Sequence, residues 1–403
     1  MALIVQKFGG SSVANAEKLF NVAQRVIDTY KEGNSVVVVV SAQGDTTDDL
    51  IAKANEINPN ASRREMDVLL STGEQITISL LAMAIEKLGY QAVSLTGWQV
   101  PMHTNSNHSS ARLRCVDKER LQNELDKKRI VVVAGFQGIN KYDDITTLGR
   151  GGSDTTAVAV AAALQADLCE IYTDVNGIYT ADPRIVKDAK KLDTITYDEM
   201  LELASLGANV LHNRSVEMAK KYNIKLVVRS SFDRSEGTIV KEENKVEKML
   251  VSGVSRDNDV ARIALVSIED KPGMAYKIFS ALAKHRINVD LILQSIGRDD
   301  KKDISFTVTE SNLEKALEIL GEMKDTIGYE EIRHACDVSK VSIVGAGMVG
   351  DAGVAATMFE ALYDTHINIH MIATSEIKVS VLIDEADAER AVRAIHDKFN
   401  LAD

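Results

Sequence analysis

The sequence predicts an α/β protein in which a mainly parallel sheet covered by helices is followed by two smaller ferredoxin-like units. Three observations support this prediction. Short β-branched runs alternate with longer amphipathic segments over roughly the first 230 residues, the composition then becomes charged, and a βαββαβ pattern follows twice. The chain has 403 residues, of which 45% are hydrophobic, so it can form several domains with buried cores.

The first region alternates predicted strands with predicted helices. Its strand candidates are rich in valine and isoleucine, which suits strands buried on both faces of a parallel sheet. They are Leu3 to Phe8, Val36 to Ser41, Gln91 to Thr96, Ile130 to Phe136, Leu168 to Thr173 and Ile224 to Ser230. The helix candidates are Asn15 to Tyr30, Glu74 to Leu88, Asp117 to Lys127, Ser153 to Leu164 and Ser215 to Tyr222.

A charged segment marks the end of this region. Residues 232–246 read FDRSEGTIVKEENKV and contain few large apolar side chains, which is typical of a domain boundary. We therefore expect a first domain over residues 1–245.

The rest of the chain repeats one pattern. In the first copy, strands are predicted at Ala261 to Glu269, Ile287 to Ser295, Ile304 to Glu310 and Tyr329 to His334, and helices at Met274 to Arg286 and Leu313 to Asp325. In the second copy, strands are predicted at Lys340 to Val344, Ile367 to Ala373 and Lys378 to Ile383, and helices at Val354 to Thr365 and Ala386 to Phe399. The second copy lacks a closing strand, which the apolar run Leu250 to Ser255 can supply. The expected domains are therefore 261–336, inserted within a second one made of 250–256 and 338–403.

Composition restricts the classes of function. The 47 Lys and Arg residues face 59 Asp and Glu residues, so the formal net charge is −12 and no general attraction to nucleic acid or to anionic membranes is expected. The N-terminus lacks signal-peptide features and no apolar run reaches the length of a membrane span, which predicts a cytoplasmic protein. Cys115, Cys169 and Cys336 form no CxxC motif, which fits a reducing compartment and predicts no structural zinc.

Three loops of small residues follow predicted strands, at 9–12, 41–47 and 149–154. Ligands bind at the carboxyl ends of strands in open α/β sheets, where glycines let backbone N–H groups approach phosphate oxygens. Lys7 precedes the first loop and Arg150 lies within the third, so the three loops together predict an anion site. None of them has the GxxxxGK[ST] pattern of a P-loop, and no protein-kinase HRD or DFG set is present.

Five segments resemble the signature segments of the aspartokinase family. They are KFGGSSV at 7–13, VVVVVSAQGDTTDDL at 36–50, LLSTGEQ at 69–75, TTLGRGGSDTTA at 146–157 and YTDVNGIYTADPR at 172–184. The resemblance covers essentially the whole chain, because aspartokinases of this size also end in two ACT domains, which are βαββαβ units.

The resemblance implies the amino-acid kinase fold and an aspartate kinase. Such an enzyme phosphorylates the side-chain carboxylate of L-aspartate to 4-phospho-L-aspartate, the first step of lysine, threonine and methionine biosynthesis. The phosphoryl donor would be MgATP, with Mg²⁺ bound mainly through the nucleotide. A side-chain carboxylate has a pKa of about 4, so the nucleophile is already ionised at neutral pH and needs no general base.

The resemblance also implies roles for individual residues. Lys7 and Asp154 would be catalytic, Lys7 reaching the transferring phosphoryl group and Asp154 orienting that lysine. The implied ATP-binding residues are Lys7, Gly9, Gly10, Thr173, Asp174, Tyr179, Asp182 and Arg184. The implied aspartate-binding residues are Ser41, Thr47, Glu74, Arg150 and Ser153. Arg150 can bind a carboxylate through two parallel hydrogen bonds, and Glu74 offers the negative charge that an α-ammonium requires. The role of Asn209 stays open, since the family often has a lysine in a GAKVL-like segment where this chain reads GANVL at 207–211.

The ACT resemblance implies feedback regulation by an end-product amino acid, which could be lysine, threonine, both in concert or another downstream amino acid. In each copy a loop leads into the first helix, at 269–274 and 350–354. Amides at a helix N-terminus can hold a carboxylate, and Asp270 can hold an ammonium. The predicted allosteric positions are Asp270, Gly273, Met274, Asn288, Asp290, Gln294, Asn368 and Ile369. Paired ACT domains usually associate across chains, so we expect a homo-oligomer; a separate regulatory subunit that starts near Met249 is an alternative arrangement.

Other functions and sites need to be distinguished. Kinases of the same fold act on glutamate, acetylglutamate, carbamate or a nucleoside monophosphate, and a chain of this kind could also be an amino-acid sensor with an inactive kinase domain. The GAGMVG segment at 345–350 matches a dinucleotide fingerprint, but too little chain follows for a dinucleotide-binding domain. His103 and His108 are interpreted as solvated loop residues, and Glu65 and Asp67 as an exposed helix face.

Overall fold

The computed structural model describes residues 2–205, 210–242, 250–297, 300–348, 351 and 353–402. They form two compact units. The first contains residues 2–178, 191–204 and 210–242, and the second contains Tyr179–Lys190 and the chain from residue 250 onward.

An eight-stranded sheet forms the centre of the first unit. In spatial order its strands are β10 (Thr194–Thr196), β12 (Thr238–Lys241), β11 (Leu226–Ser230), β9 (Leu168–Thr173), β1 (Leu3–Phe8), β2 (Ser35–Val40), β6 (Ile130–Ala134) and β3 (Ala92–Leu95). β1 pairs in parallel with β2 and β9, and β6 pairs in parallel with β2 and β3. β12 runs antiparallel to β11. The sheet is therefore mainly parallel, as the sequence predicts.

The seven helices named next belong to the first unit. They are α1 (Ala16–Lys31), α2 (Thr46–Ile57), α3 (Arg63–Lys87), α4 (Glu119–Asp126), α5 (Gly152–Leu164), α6 (Tyr197–Ser205) and α7 (Asn213–Tyr222). Val36, Val38 and Val40 of β2 join one core with residues of α1 and α3. Successive side chains of a strand point to opposite faces, and α5 contacts β1, β2 and β9. Helices on both faces explain why the valine run of β2 is continuous rather than alternating.

A smaller four-stranded sheet also belongs to the first unit. In spatial order its strands are β5 (Leu113–Val116), β4 (Met102–Thr104), β7 (Gln137–Ile139) and β8 (Ile145–Thr147). His103 was interpreted as a loop residue, but it lies in the strand Met102–Thr104, which pairs with β5 and β7. These strands are three or four residues long, which is too short for a periodic pattern to stand out.

The second unit contains two four-stranded antiparallel sheets with helices. The first sheet has the order β15 (Ile292–Gln294), β16 (Lys301–Val308), β14 (Ala261–Glu269) and β17 (Glu331–Ala335), with helices α8 (Met274–Lys284), α9 (Leu313–Glu322) and α10 (Lys324–Ile327). The second has the order β19 (Met371–Thr374), β20 (Lys378–Asp384), β18 (Val338–Val344) and β13 (Gly253–Asp257), with helices α11 (Val354–Asp364) and α12 (Ala388–Lys398).

The two sheets have equivalent strand orders. β13 pairs antiparallel with β18 at the position that β17 takes beside β14 in the first sheet. The fourth strand of the second sheet therefore comes from the chain that precedes the first sheet. Leu291 of one ferredoxin-like unit packs with Val338, Met371 and Leu382 of the other. The same topology argues against a dinucleotide-binding domain at the GAGMVG segment. The strand before this segment, β18, lies between two antiparallel neighbours, whereas a dinucleotide-binding domain has a parallel sheet.

The segment Tyr179–Lys190 packs with the second unit. Ala181, Ile185 and Val186 belong to the core that contains residues of β13, β18, α11 and α12. The Thr180 carbonyl oxygen accepts a hydrogen bond from the Val254 N–H at 2.7 Å. The segment Tyr179–Lys190, which was expected to belong to the first domain, is therefore part of the core of the second unit.

Among the elements that differ from the sequence predictions are α3, β12 and β15. α3 begins at Arg63 rather than at Glu74, because Ser62 caps it by accepting a hydrogen bond from the Glu65 N–H. β12 lies inside the charged segment that was interpreted as a boundary, and its buried Thr238 and Val240 align it with β10 and β11. The second strand of the first repeat begins at Ile292, later than predicted.

α3 is the one helix in the described residues that is long and apolar enough to cross a membrane by length and composition. Half of its most apolar window is buried inside the protein. Glu74, which lies within the helix, is also buried. These are properties of the core helix of a folded domain, and length and composition alone are weak evidence for a membrane span.

Candidate active site

Lys7 and Asp154 form a shielded ion pair at the carboxyl end of the central strand. Lys7 lies near the end of β1, and its Nζ is 2.6 Å from Oδ1 of Asp154, with the two side chains 12% and 11% exposed. Asp154 lies in the first turn of α5, where the helix dipole stabilises a carboxylate. The pair therefore holds an ammonium group in a fixed position at the edge of the sheet where ligands bind in this class of fold.

The glycines after β1 allow two loops to approach each other. A Cβ added to Gly10 would lie 2.7 Å from the carbonyl oxygen of Ala42, and the Gly10 carbonyl oxygen accepts a hydrogen bond from the Gly44 N–H at 3.0 Å. A Cβ on Gly9 would lie 3.6 Å from the Lys7 Nζ. The loops after β1 and β2 thus meet beside the lysine, as the sequence predicts for an anion site.

Glu74 is a buried carboxyl group with one free oxygen. It is 3% exposed on α3, and its Oε1 accepts a hydrogen bond from the Ala42 N–H at 3.1 Å. Its Oε2 is buried and has no hydrogen-bond partner. Burial raises the pKa of Glu74 to about 8, against the opposing effect of the Ala42 N–H. A buried acceptor without a partner is costly unless a ligand supplies the donor, so this oxygen marks a binding position.

The other predicted aspartate-binding residues lie on the loops at the same edge of the sheet. Ser41 follows β2, and Thr47 lies in the first turn of α2; both are half-buried. Ser153 is 7% exposed at the start of α5, and a Cβ on Gly135, which follows β6, would lie 2.6 Å from its Oγ. The start of α5 thus packs against the end of β6, which pairs with β2.

Arg150 is exposed and lies between two glycines in the left-handed region. Gly149 has φ +80° and Gly151 has φ +66°, so the loop is held in a conformation that other residues rarely adopt. Within the described part of the chain, Arg150 forms no ion pair with a carboxylate. Its guanidinium is therefore available to an incoming anion.

Two residues that sequence reasoning missed hold this loop from behind. The imidazole of His212 occupies the space that a Cβ on Gly151 would need, with a separation of 2.3 Å. The Arg214 guanidinium donates hydrogen bonds to the carbonyl oxygens of Leu148 at 2.7 Å and of Ala111 at 2.8 Å. No local pattern in the sequence links residues 212–214 to the loop, because the contact depends on how α7 packs against α5.

The interpretation of Asp67 and His108 as solvated surface residues is wrong. Asp67 is fully buried, and its carboxylate accepts hydrogen bonds from the N–H groups of Ser109 and Thr147 and from the Thr147 hydroxyl. His108 Nδ1 lies 3.0 Å from Oδ2 of Asp67. Glu65, two positions earlier, is exposed as expected. Asp67 therefore fixes α3 to the end of β8, immediately before the loop of Arg150.

The predicted nucleotide residues are divided between the two units. Thr173 ends β9 in the first unit, and its hydroxyl donates to Asp174 Oδ1 at 3.1 Å. Tyr179, Asp182 and Arg184 belong to the second unit. Arg184 lowers the pKa of Asp182 by a charge-assisted hydrogen bond, and Nη2 of Arg184 is 2.7 Å from Oδ2 of Asp182.

The predicted allosteric residues lie on both ferredoxin-like units. Oδ1 of Asp270 is 2.7 Å from Nζ of Lys302, whose side chain is 11% exposed. Gly273, with φ +92°, is the N-cap of α8, and no side chain caps that helix, so Asp270 is not its cap. Met274 is buried. An effector ammonium bound by Asp270 would therefore share the carboxylate with Lys302 and leave the start of α8 free.

The remaining allosteric positions differ in exposure. Asp290 forms an ion pair with Lys340, which also lies 3.2 Å from Asp257. Asn288, Gln294 and Asn368 are exposed and Ile369 is partly buried. The predicted positions Asn209, Met249 and Gly350 lie outside the described residues. Among the residues that the structure describes, no group of three or more His, Cys, Asp or Glu side chains is arranged to hold a metal ion.

Comparisons with known proteins agree with the fold of the two units. Residues 2–230 match the amino acid kinase family, and residues 263–323 and 341–399 match an ACT domain. An aspartokinase from Bacillus sp. (strain MGA3) is 51% identical over 403 residues, which covers 100% of this chain and 98% of the relative.

Two solved structures of aspartokinase III from E. coli are similar to the whole chain. The complex with aspartate and ADP is 27% identical with a TM-score of 0.83, and it covers 98% of this chain and 99% of that one. The complex with lysine and aspartate is also 27% identical, has a TM-score of 0.77 and has the same coverage.

The buried Glu74 makes a prediction about stability and pH. Its pKa rises from 4.5 to about 8 on folding, so the stability that its neutral form contributes is present below pH 4.5 and is lost as the pH rises through 8. Glu74→Gln keeps the shape and removes this titration. In urea denaturation, the free energy of unfolding of the variant relative to the wild type should increase between about pH 5 and pH 8.5. The exposed Glu65→Gln is the matched control. A pH-independent difference for Glu74→Gln would contradict the raised pKa.

Proposed function

This chain belongs to the aspartokinases within the amino acid kinase family, and we propose that the residues gathered around Lys7 bind L-aspartate and ATP and carry out the transfer. As an aspartate kinase, the protein converts L-aspartate to 4-phospho-L-aspartate. The observation that carries the proposed site is the shielded Lys7–Asp154 pair, which lies on the same sheet edge as the free Oε2 of Glu74. The ammonium of Lys7 suits a phosphoryl oxygen, and Oε2 of Glu74 suits an ammonium group.

The proposed transfer needs positioning and charge stabilisation rather than a base. An oxygen of the side-chain carboxylate of aspartate attacks the γ-phosphorus of ATP. The bond from that phosphorus to the β,γ-bridging oxygen breaks, and ADP leaves with the electron pair. Lys7 stabilises the charge on the transferring group, with the N–H groups around Gly9 and Gly10 as further donors. Asp154 acts as a positioning residue, because it fixes the ammonium of Lys7.

The proposed aspartate site matches each charge of the amino acid with an opposite one. Glu74 receives the α-ammonium at its free Oε2. Arg150 binds a carboxylate through two parallel hydrogen bonds, and the left-handed glycines beside it fix the loop. Ser41, Thr47 and Ser153 add hydroxyl groups at the same edge. The raised pKa of Glu74 implies that the ammonium displaces a proton from it at neutral pH.

The residues that we propose for nucleotide binding are Thr173 and Asp174 in the first unit and Tyr179, Asp182 and Arg184 in the second. ADP is bound in the E. coli relative, which supports nucleotide use by this chain. Mg²⁺ would be held mainly by phosphate oxygens, together with a carboxylate such as that of Asp174, because it prefers oxygen ligands. When bound, it neutralises charge on the phosphates.

We also propose the domain boundaries and the mode of regulation. The proposed boundaries are 1–245 for the kinase domain, of which Tyr179–Lys190 packs in the second unit, 261–336 for the first ACT domain, and 250–256 with 338–403 for the second. The pairing of β13 with β18 supports the insertion. An end-product amino acid, lysine or threonine, acts at Asp270 and the start of α8; the lysine complex of the E. coli relative supports this class of effector. We also propose a cytoplasmic homo-oligomer that acts in lysine, threonine and methionine biosynthesis.

Lys7→Ala tests the proposed catalytic site. Since the lysine acts on charge that develops in transfer, turnover should fall by at least about a hundredfold, with smaller changes in the Michaelis constants. Coupled measurement of ADP formation with L-aspartate checks this. Lys31→Ala, which removes a surface lysine at the end of α1, should keep normal turnover. A folded Lys7→Ala protein with near-normal turnover would remove Lys7 from the mechanism.

Asp270→Ala tests the proposed regulation. The variant should shift the midpoint of inhibition by lysine or threonine upward by about 5- to 150-fold and leave uninhibited turnover unchanged, because only differential binding of the effector is lost. Glu269→Ala is the matched control, since Glu269 is exposed and pairs with Lys271 at 2.8 Å. Titrations with each amino acid alone and with both together identify the effector. An unchanged midpoint for Asp270→Ala would exclude this residue from the effector site.

A further inference from the structure

A cavity of about 570 Å³ lies on the first unit between β5, α5 and α7. None of the residues proposed above for aspartate or nucleotide lines it. Its floor is formed by small side chains of α5, namely Ala159, Ala162 and Ala163. Small-molecule sites in proteins typically have volumes of roughly 300 to 1,000 Å³, so the cavity has the size of a ligand site.

The charges that line this cavity are strongly unbalanced. Arg112 and Arg114 lie on the β5 side, Arg214 and Lys221 on α7, and Glu217 is the one carboxylate among the lining residues. Within the described residues, Arg112, Arg114 and Lys221 form no ion pair with a carboxylate. This concentration of positive charge stands on a chain whose formal net charge is −12. A cluster of cations without counter-ions attracts an anion from solution.

One of these cations is held rigidly at the cavity wall. Two N–H groups of Arg214 bond to the carbonyl oxygens of Leu148 and Ala111. A guanidinium has five N–H donors, so three remain for another acceptor. Burial, and then the neighbouring charge of Arg112, lower the pKa of Arg214. Neutral carbonyls fix this group in place without balancing its charge, so little ordering is needed when an anion binds.

The apolar residues indicate that the ligand has a carbon frame. Beside the alanine floor, Met218 and Tyr222 line the α7 side of the cavity. Cations on both walls favour a molecule with at least two negative charges over a single-charged ion. We propose that this cavity is a binding site for a small organic anion with two or more negative charges, of the class of polycarboxylates and organic phosphates.

The cysteines of the chain provide a direct test on the full-length protein. Cys115 lines the cavity and is exposed, Cys336 is exposed in the second unit, and Cys169 is buried. A bound anion covers the Cys115 thiol and restricts access of the reagent to it, so it slows alkylation. The probes are citrate and inorganic pyrophosphate, each added without metal to the protein with iodoacetamide at constant ionic strength. The rate of alkylation at each cysteine is followed by peptide mass spectrometry.

The expected result is specific protection of one cysteine. At saturating citrate or pyrophosphate, alkylation of Cys115 should slow by about fivefold or more while that of Cys336 stays unchanged. Protection by citrate alone identifies a polycarboxylate site, and protection by pyrophosphate alone identifies a phosphate site. Arg114→Glu, a change at an exposed position, should abolish the protection, and the matched charge reversal Arg63→Glu should retain it.

Three results would overturn the proposal. They are the absence of protection by either anion up to about 10 mM, equal slowing at Cys115 and Cys336, and protection that persists in Arg114→Glu. The measurement needs neither aspartate nor ATP, so its outcome is independent of the assignment of the active site.

Discussion

The parallel pairing of β1 with β2 and β9 is the constraint on which the site depends. Parallel strands place their carboxyl ends at one edge, so residues that are distant in the sequence meet there without any local signal. Lys7 at the end of β1 meets Asp154 from α5, and the Ala42 N–H after β2 meets Glu74 from α3. Because β1 is covered on both faces, the core fixes its position. The ammonium of Lys7 is therefore held in place as well.

The arrangement of charged groups is the second constraint on the site. A carboxylate and a triphosphate repel each other, so an enzyme that joins them needs cations at the meeting point and little water. In the proposed site, Lys7 supplies such a cation, and Asp154 orients it. Glu74 solves a different problem, because a buried carboxylate is costly without a partner. In the free protein it can avoid that cost by staying protonated, and an ammonium ligand makes the ionised form favourable. In the proposed site, recognition of the amino acid is thus coupled to the release of a proton.

The sequence predicted the parts of the fold that rest on local patterns. Apolar β-branched runs gave β1 and β9 with their observed bounds, and amphipathic periods located α1 and the helices of the ferredoxin-like units. Contacts between residues that are distant in the sequence could not be predicted from local patterns. Asp67 was interpreted as exposed because its donors lie 41 to 80 positions later in the chain. β12 was missed because a four-residue strand in a charged segment is fixed by its neighbours rather than by its own residues. The burial of Glu74, and the backing of the Arg150 loop by His212 and Arg214, also arise only in three dimensions.

Proton release on aspartate binding tests the central claim most directly. In weakly buffered protein at about pH 7, a group with a pKa near 8 is mostly protonated, and pairing with an α-ammonium ionises it. Adding saturating L-aspartate at matched pH, with an indicator dye to follow the pH, should therefore release close to one proton per bound aspartate from the wild type. Glu74→Gln at an aspartate concentration that saturates it should release none. Equal release from both proteins, or none from the wild type, would contradict the account of Glu74 as the ammonium-binding group.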